Sequence, residues 1–161
     1  MSGFHLAQIN IGRLLAPLDS PVVADFVNNL GKINALAEAS PGFVWRLTGD
    51  GDNATDILAF DDPAIQINMS VWETPQALGA FVYRSEHVQF MRRRREWFEP
   101  MGGYMALWWI PEGHVPTPAE GRARLETLQR LGPTDQAFTF RQIFPTPDLA
   151  QRPLPILDEC A

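Results

Sequence analysis

The side chains with chemistry to offer are gathered between Asn68 and Arg94. Asn68 and Trp72 stand four residues apart in NMSVW, where strand alternation puts both on one face. His87 and Arg94 follow in EHVQFMRRRREWF. Helical phasing at about 100° per residue sets them nearly in line, with Met91 and Phe98 beside them. An asparagine amide can donate to a carbonyl or an oxyanion. An indole makes a flat pocket wall, or a core residue whose N–H needs a partner. An imidazole titrates near neutral pH and serves as general acid, general base or axial ligand, or as a hydrogen-bonded core histidine. An arginine on the apolar side of a helix needs an ion pair, a bound anion or a carbonyl. Arg92 and Arg93 fall on the far side and read as a solvated face with helical salt bridges. Asn10, beside Gln8 on an earlier strand, adds a second amide; the alternative for both asparagines is a polar face bonded to water or across an interface.

Other chemical signals fail. His5, His87 and His114 lack metal-ligand spacing, so no metal site is expected. Asp50, Asp52 and Asp56 resemble part of a calcium loop, but the glycine is missing and strands, not helices, flank them. There is no phosphate-binding loop and no dinucleotide fingerprint.

The elements that must position these residues follow from periodicity. Residues 5–14 alternate as a first strand. Ser20-Pro21 starts a helix carrying Val23, Phe26, Val27, Leu30, Ile33 and Ala37, and Pro41-Gly42 stops it. Strands at 43–48 and 64–72 flank a loop rich in Asp and Gly. Thr74-Pro75 opens a helix running to about Phe98, with room for a break near Tyr83 to Ser85, and a fourth strand spans 104–110. The order β-α-β-β-α-β predicts an α+β fold with a ferredoxin-like sheet over residues 5–111. An added helix opens with the capping box Thr117–Glu120, with Leu125, Leu128 and Leu131 inward, and an added strand spans 137–144. Together they occupy residues 112–144, and 145–161 form an extended, proline-rich tail. The fourth strand is apolar on both faces, so it wants a second cover: a partner subunit, ahead of the added helix and tail.

At 161 residues the chain reads as one domain, residues 1–161. With 45% hydrophobic and 20% charged residues it is folded and soluble in type. A net charge of −6 argues against general nucleic-acid binding. No secretory leader or bilayer-length apolar run is visible, and the single cysteine, Cys160, can form no internal disulfide; a cytoplasmic protein without membrane contact is expected.

The segments HLAQINIGRL, SPGFVWRLTGDGDNAT, NMSVWET, AFVYRSEHVQFMRRRREWF and LWWIPEGHVPT together resemble the bacterial family called domain of unknown function 3291. The likeness spans nearly the whole chain up to about Phe144, and the YRSEH…RRRREWF segment is its most specific part. It implies a dimeric α+β barrel, in which two ferredoxin-like subunits pack their sheets together. Within that superfamily the chain is similar to antibiotic-biosynthesis monooxygenases, which oxidise polycyclic aromatics without metal or flavin. Their pocket asparagine and tryptophan match Asn68 and Trp72 in spacing. In the superfamily's haem-degrading members, a strand asparagine, the same tryptophan and a helix histidine occupy elements corresponding to Asn10, Trp72 and His87. Other members are not catalysts.

The expectation is a homodimer that binds a small apolar or aromatic molecule between sheet and helices and acts as a monooxygenase-like enzyme without a cofactor. Asn10 and Asn68 would orient a carbonyl or phenolate, Trp72 and Met91 would wall the substrate, and His87 or Arg94 would handle proton or charge. One alternative is a haem protein with His87 as axial ligand. Another is a ligand-binding or structural dimer without turnover.

Overall fold

Alternation of apolar and polar side chains produces four strands: β1 (Phe4–Arg13), β2 (Phe43–Arg46), β3 (Ile65–Trp72) and β4 (Met105–Pro111). In the computed structural model, which describes residues 3–147, they form one sheet in the order β2-β3-β1-β4, each neighbouring pair antiparallel. The helices start where capping chemistry predicts. Ser20 Oγ accepts from Val22 N–H at 3.2 Å to open the 3-10 turn Pro21–Val23, which leads into α1 (Ala24–Glu38). Thr74 and Thr117 accept from Ala77 and Glu120 N–H, both at 3.1 Å, to open α2 (Pro75–Arg84) and α4 (Pro118–Leu131). Only half of the Thr117–Glu120 box forms, because the Glu120 carboxylate turns to His114 Nε2 at 3.0 Å.

The expected helix through Phe98 is broken in two places. Ser85 donates its hydroxyl to the Phe81 carbonyl and accepts from His87 N–H at 3.1 Å, so it closes α2 and starts α3 (His87–Arg92). After Arg92 the chain tightens into a single 3-10 turn, Arg94–Glu96. The expected fifth strand does not form. Phe138 and Leu107 exchange two N–H···O bonds of 2.8 Å on β4, but bridges Thr134–Ala137 and Thr139–Gln142 turn the chain away on both sides. The expected extended tail beyond Pro147 lies outside the described residues.

The two faces of the sheet are covered differently. Ala7, Ile9 and Ile11 of β1, Ile67, Met69 and Val71 of β3, and Ala106, Trp108 and Ile110 of β4 form an apolar face that packs on Leu125 and Leu128 of α4. The cover that the fourth strand was expected to find in a partner subunit is thus supplied by the chain itself. Gly121 lets α4 lie close: a Cβ there would come within 2.9 Å of Met69 Sδ. Leu131, expected inward, is 59% exposed. Successive steps of three residues drift by about 60° around a helix, and two such steps carry it off the face that Gly121, Leu125 and Leu128 share. The opposite sheet face looks toward α1, α2 and α3. No helix among the described residues is long and apolar enough to cross a membrane.

Because Leu125 is 1% exposed and central to this packing, Leu125→Ala should destabilise the protein by about 2–5 kcal/mol. Urea unfolding checks this; a loss under about 0.5 kcal/mol, the range of ordinary surface changes, would mean that α4 is not a structural cover.

Candidate functional site

The helix-facing side of the two central strands is polar where an apolar surface would be usual. Register sets Gln8 opposite Ser70, Asn10 opposite Asn68 and Gly12 opposite Gln66. Gln8 Nε2 donates to Asn68 Oδ1 at 2.7 Å and to Ser70 Oγ at 2.8 Å. Asn10 Nδ2 donates to Gln8 Oε1 and to Asn68 Oδ1, both at 3.1 Å. Ser70 Oγ also accepts from Trp72 Nε1 at 2.8 Å. Both lone pairs of the serine are then engaged, and its hydroxyl hydrogen remains to be donated. Asn10 Oδ1 and the NH₂ of Asn68 likewise have no partner among the described residues. Turning the three amides over together also closes the network, with Ser70 then donating its hydroxyl to Gln8 Oε1, and exchanges which asparagine offers oxygen and which offers N–H. In either arrangement the Asn10–Asn68 pair presents one acceptor and one donor side by side.

Above this floor lies a partly open cavity of about 160 Å³. Phe26 and Ile33 of α1, Phe81 of α2 and Phe90 of α3 give it apolar walls. Asn10, Asn68, His87, Met91 and Arg94, all singled out from sequence, line this one cavity. Trp72 does not. It shares the strand face but is fully buried beneath, stacked on Phe81 at 5.2 Å and edge-on to Phe43 at 5.4 Å. The expected pocket wall is therefore a support: it fixes Ser70 by hydrogen bond and Phe81 by stacking.

His87 Nδ1 lies 3.4 Å from the Val82 carbonyl, and its ring tilts against Phe81 at 4.7 Å. Nε2 has no partner among the described residues. Burial pushes the imidazole pKa below its usual 6.5, only partly opposed by the Val82 contact. At neutral pH the ring is accordingly uncharged. With Nδ1–H directed at Val82, Nε2 carries the free lone pair and can take a proton.

Arg94 reaches the same space from the 3-10 turn. Its Nη2 donates to the Ile11 carbonyl at 2.5 Å, and the guanidinium lies 4.5 Å above the Tyr104 ring and 5.0 Å above Phe98. Gly12 makes room for that stack, since a Cβ there would sit 2.5 Å from the Phe98 ring. Burial lowers the arginine's pKa, slightly offset by Tyr104, yet the group remains a cation. No carboxylate among the described residues pairs with it, whereas Arg93, on the outer face, pairs with Asp25 at 2.6 Å and Glu96 at 2.8 Å.

Gln8, Ser70 and Tyr104 join the site without having been chosen from sequence. The first two were visible as polar positions in strand alternation. Tyr104 had no such signal, because its place over Arg94 depends on the Gly102-Gly103 bend before β4. Haem does not fit this arrangement. His87 offers a nitrogen, but the ring rests on Phe81 and the space falls below the roughly 300–1,000 Å³ of sites for drug-sized ligands. Among the described residues no three His, Cys, Asp or Glu side chains gather as metal ligands.

The depressed imidazole pKa has a stability consequence. The unfolded chain takes up the His87 proton before the native one does. Stability is therefore lost as pH falls through about 6.5, and the loss is complete below the native pKa. Melting temperatures at pH 7.5, 6.5 and 5.5 should fall less steeply in His87→Phe than in the parent. Equal slopes would mean that His87 is as well solvated folded as unfolded.

No curated protein matches the chain. Three crystal structures are similar to it. PA3566 from Pseudomonas aeruginosa is 14% identical with a TM-score of 0.47, the match covering 71% of this chain and 99% of that one. A conserved protein from Methanosarcina mazei Go1 is 12% identical with a TM-score of 0.47, over 68% and 94%. NE2512 from Nitrosomonas europaea, a protein of unknown function, is 12% identical with a TM-score of 0.45, over 74% and 99%. Similarity at this level transfers neither site nor activity. The family model named domain of unknown function (DUF3291) matches residues 5–153, and the chain belongs to that family.

Proposed function

We propose that the cavity is a binding site for a small, partly aromatic molecule bearing a carbonyl or an acidic hydroxyl. The observation that carries this reading is convergence. Among the described residues, the donor and acceptor left over by Asn10 and Asn68, the unpartnered Nε2 of His87 and the guanidinium of Arg94, which has no carboxylate partner, open on one space with largely aromatic and aliphatic walls. Apolar lining with a few convergent polar groups is the usual make-up of a ligand site.

The monooxygenase-like activity implied by the family resemblance is the finer part of the proposal. His87 Nε2 would remove a proton from a phenol or enol, and the floor amides and Arg94 would stabilise the resulting oxyanion. Dioxygen would then be the oxidant. A ring C–H of a phenol becomes a quinone carbonyl with one oxygen atom, and the other leaves as water. Incubation with phenols and naphthols tests the scheme. One O₂ should be consumed per carbonyl formed, and His87→Phe should slow turnover by roughly 100-fold or more, as loss of a general base does, a larger effect than its loss of ligand affinity. Binding without oxygen uptake would leave a ligand-binding protein, and absence of binding across the panel would end the reading.

The strand order and antiparallel pairing support a ferredoxin-like core. We infer that its free sheet face is closed by α4 and not by a second sheet, since Leu125 and Leu128 already occupy that face. Sedimentation at micromolar concentration should then give a monomer. A dimer in which amides beneath α4 gain hydrogen-exchange protection would show instead that a sheet-to-sheet interface displaces the helix.

A further inference from the structure

Two charge facts about the cavity go beyond its shape. The protein carries a net charge of −6 with 19 acidic residues, yet among the described residues no Asp or Glu lines the cavity, while Arg46, His87 and Arg94 do. Arg46 is accounted for: Nε binds Glu38 at 2.6 Å and Nη1 donates to the Asp52 carbonyl at 2.6 Å. His87 is neutral at neutral pH. Arg94 is the cation left over, with one hydrogen bond to Ile11 and two aromatic neighbours for a group that has five N–H donors. Aromatic faces attract a guanidinium but accept little from its N–H edge, and a desolvated cation is costly unless an anion balances it.

We infer that the ligand is a small carboxylic acid bound as its anion, with Arg94 as counter-ion. This deepens the small-molecule reading above and rests on it. The fork of a guanidinium matches a carboxylate in two parallel hydrogen bonds, a geometry that a neutral carbonyl cannot complete. The Asn10–Asn68 pair then serves a second group on the same molecule. One acceptor beside one donor suits a hydroxyl, which both gives and takes a hydrogen bond. An aromatic hydroxy acid, with its ring between the apolar walls, uses all three features together.

The test compares 2-hydroxybenzoate with 2-hydroxybenzamide, which keeps the ring and hydroxyl but is neutral, by calorimetric titration of the full chain. The acid should bind roughly 10- to 100-fold more tightly, the range expected for hydrogen bonds to a charged group. Arg94→Gln should bring the acid down to the affinity of the amide and leave the amide within about threefold. Arg94→Lys, which keeps the charge and loses the fork, should retain part of the preference and guards against a Gln variant that folds poorly. Equal binding of acid and amide by the parent overturns the counter-ion role and leaves the small-molecule site standing. A preference for the acid that survives in Arg94→Gln does the same. If neither compound nor any related acid, phenol or amide binds, both readings fall.

Discussion

The polar face of the β1–β3 pair is the constraint that shapes everything above it. Gln8, Asn10, Asn68 and Ser70 lie side by side on the two central strands, where a close-packed apolar cover would leave their amides unsatisfied. A buried polar group without a partner costs on the order of 1–3 kcal/mol. The side chains reduce that cost by bonding to one another, but this network leaves an acceptor and a donor of the Asn10–Asn68 pair without a partner among the described residues. These can be left only toward water or a guest. The helices are accordingly held off the middle of the sheet and seated at its ends. At one end Phe26, Phe90, Trp97 and Phe98 pack with ring centroids 4.8–6.0 Å apart. At the other, Trp72 is clasped by Phe43 and Phe81. The cavity is the gap that polar floor and aromatic ends leave between them.

The other sheet face shows the same logic inverted. Between His5 and Arg13 at its ends, its side chains are aliphatic, aromatic or thioether, so nothing prevents tight cover, and α4 approaches until only a glycine fits at position 121. The strands thus separate two tasks by parity. Odd positions of β1 and β3 secure the fold against α4, and even positions serve the cavity. A one-residue slip of register would exchange the two sets. The paired Asn10–Asn68 and Gln8–Ser70 contacts oppose such a slip, because hydrogen bonds among short side chains tolerate little displacement.

Much of this was legible in the sequence, and the failures are instructive. Strand parity separated Gln66, Asn68, Ser70 and Trp72 from Ile65, Ile67, Met69 and Val71, which is the division the structure makes. Parity says nothing of depth along a strand, so Trp72 was expected at the surface of a pocket that ends two residues earlier, at Ser70. Helical phase aligned His87 with Arg94 on the assumption of one unbroken helix. The two residues do share the cavity, although a 3-10 turn intervenes, because the Ile11 carbonyl and the Tyr104 and Phe98 rings draw the guanidinium inward. Those partners are remote in sequence and leave no local signal. The two-sided β4 was read correctly as needing a second cover. That α4 packs on this face left little signal in the sequence, because the helix is mostly polar and buries only a narrow face, Gly121, Leu125 and Leu128.

Arg94 joins the two halves of this account. Tethered to the Ile11 carbonyl and stacked over Tyr104 at the threshold of β4, it ties the helical layer to both central and edge strands. A methionine of similar length would pack against the same rings without the expense of desolvating a charge. Stability alone therefore gives no reason for an arginine here, and the outer face shows what the chain does where it needs one for stability: Arg93 takes two carboxylates. A cation in an aromatic recess, with no acid beside it among the described residues, has electrostatic free energy to gain from an incoming anion. On the proposed reading, that unspent interaction, more than the shape of the cavity, is what separates a ligand site from a packing defect above a polar sheet.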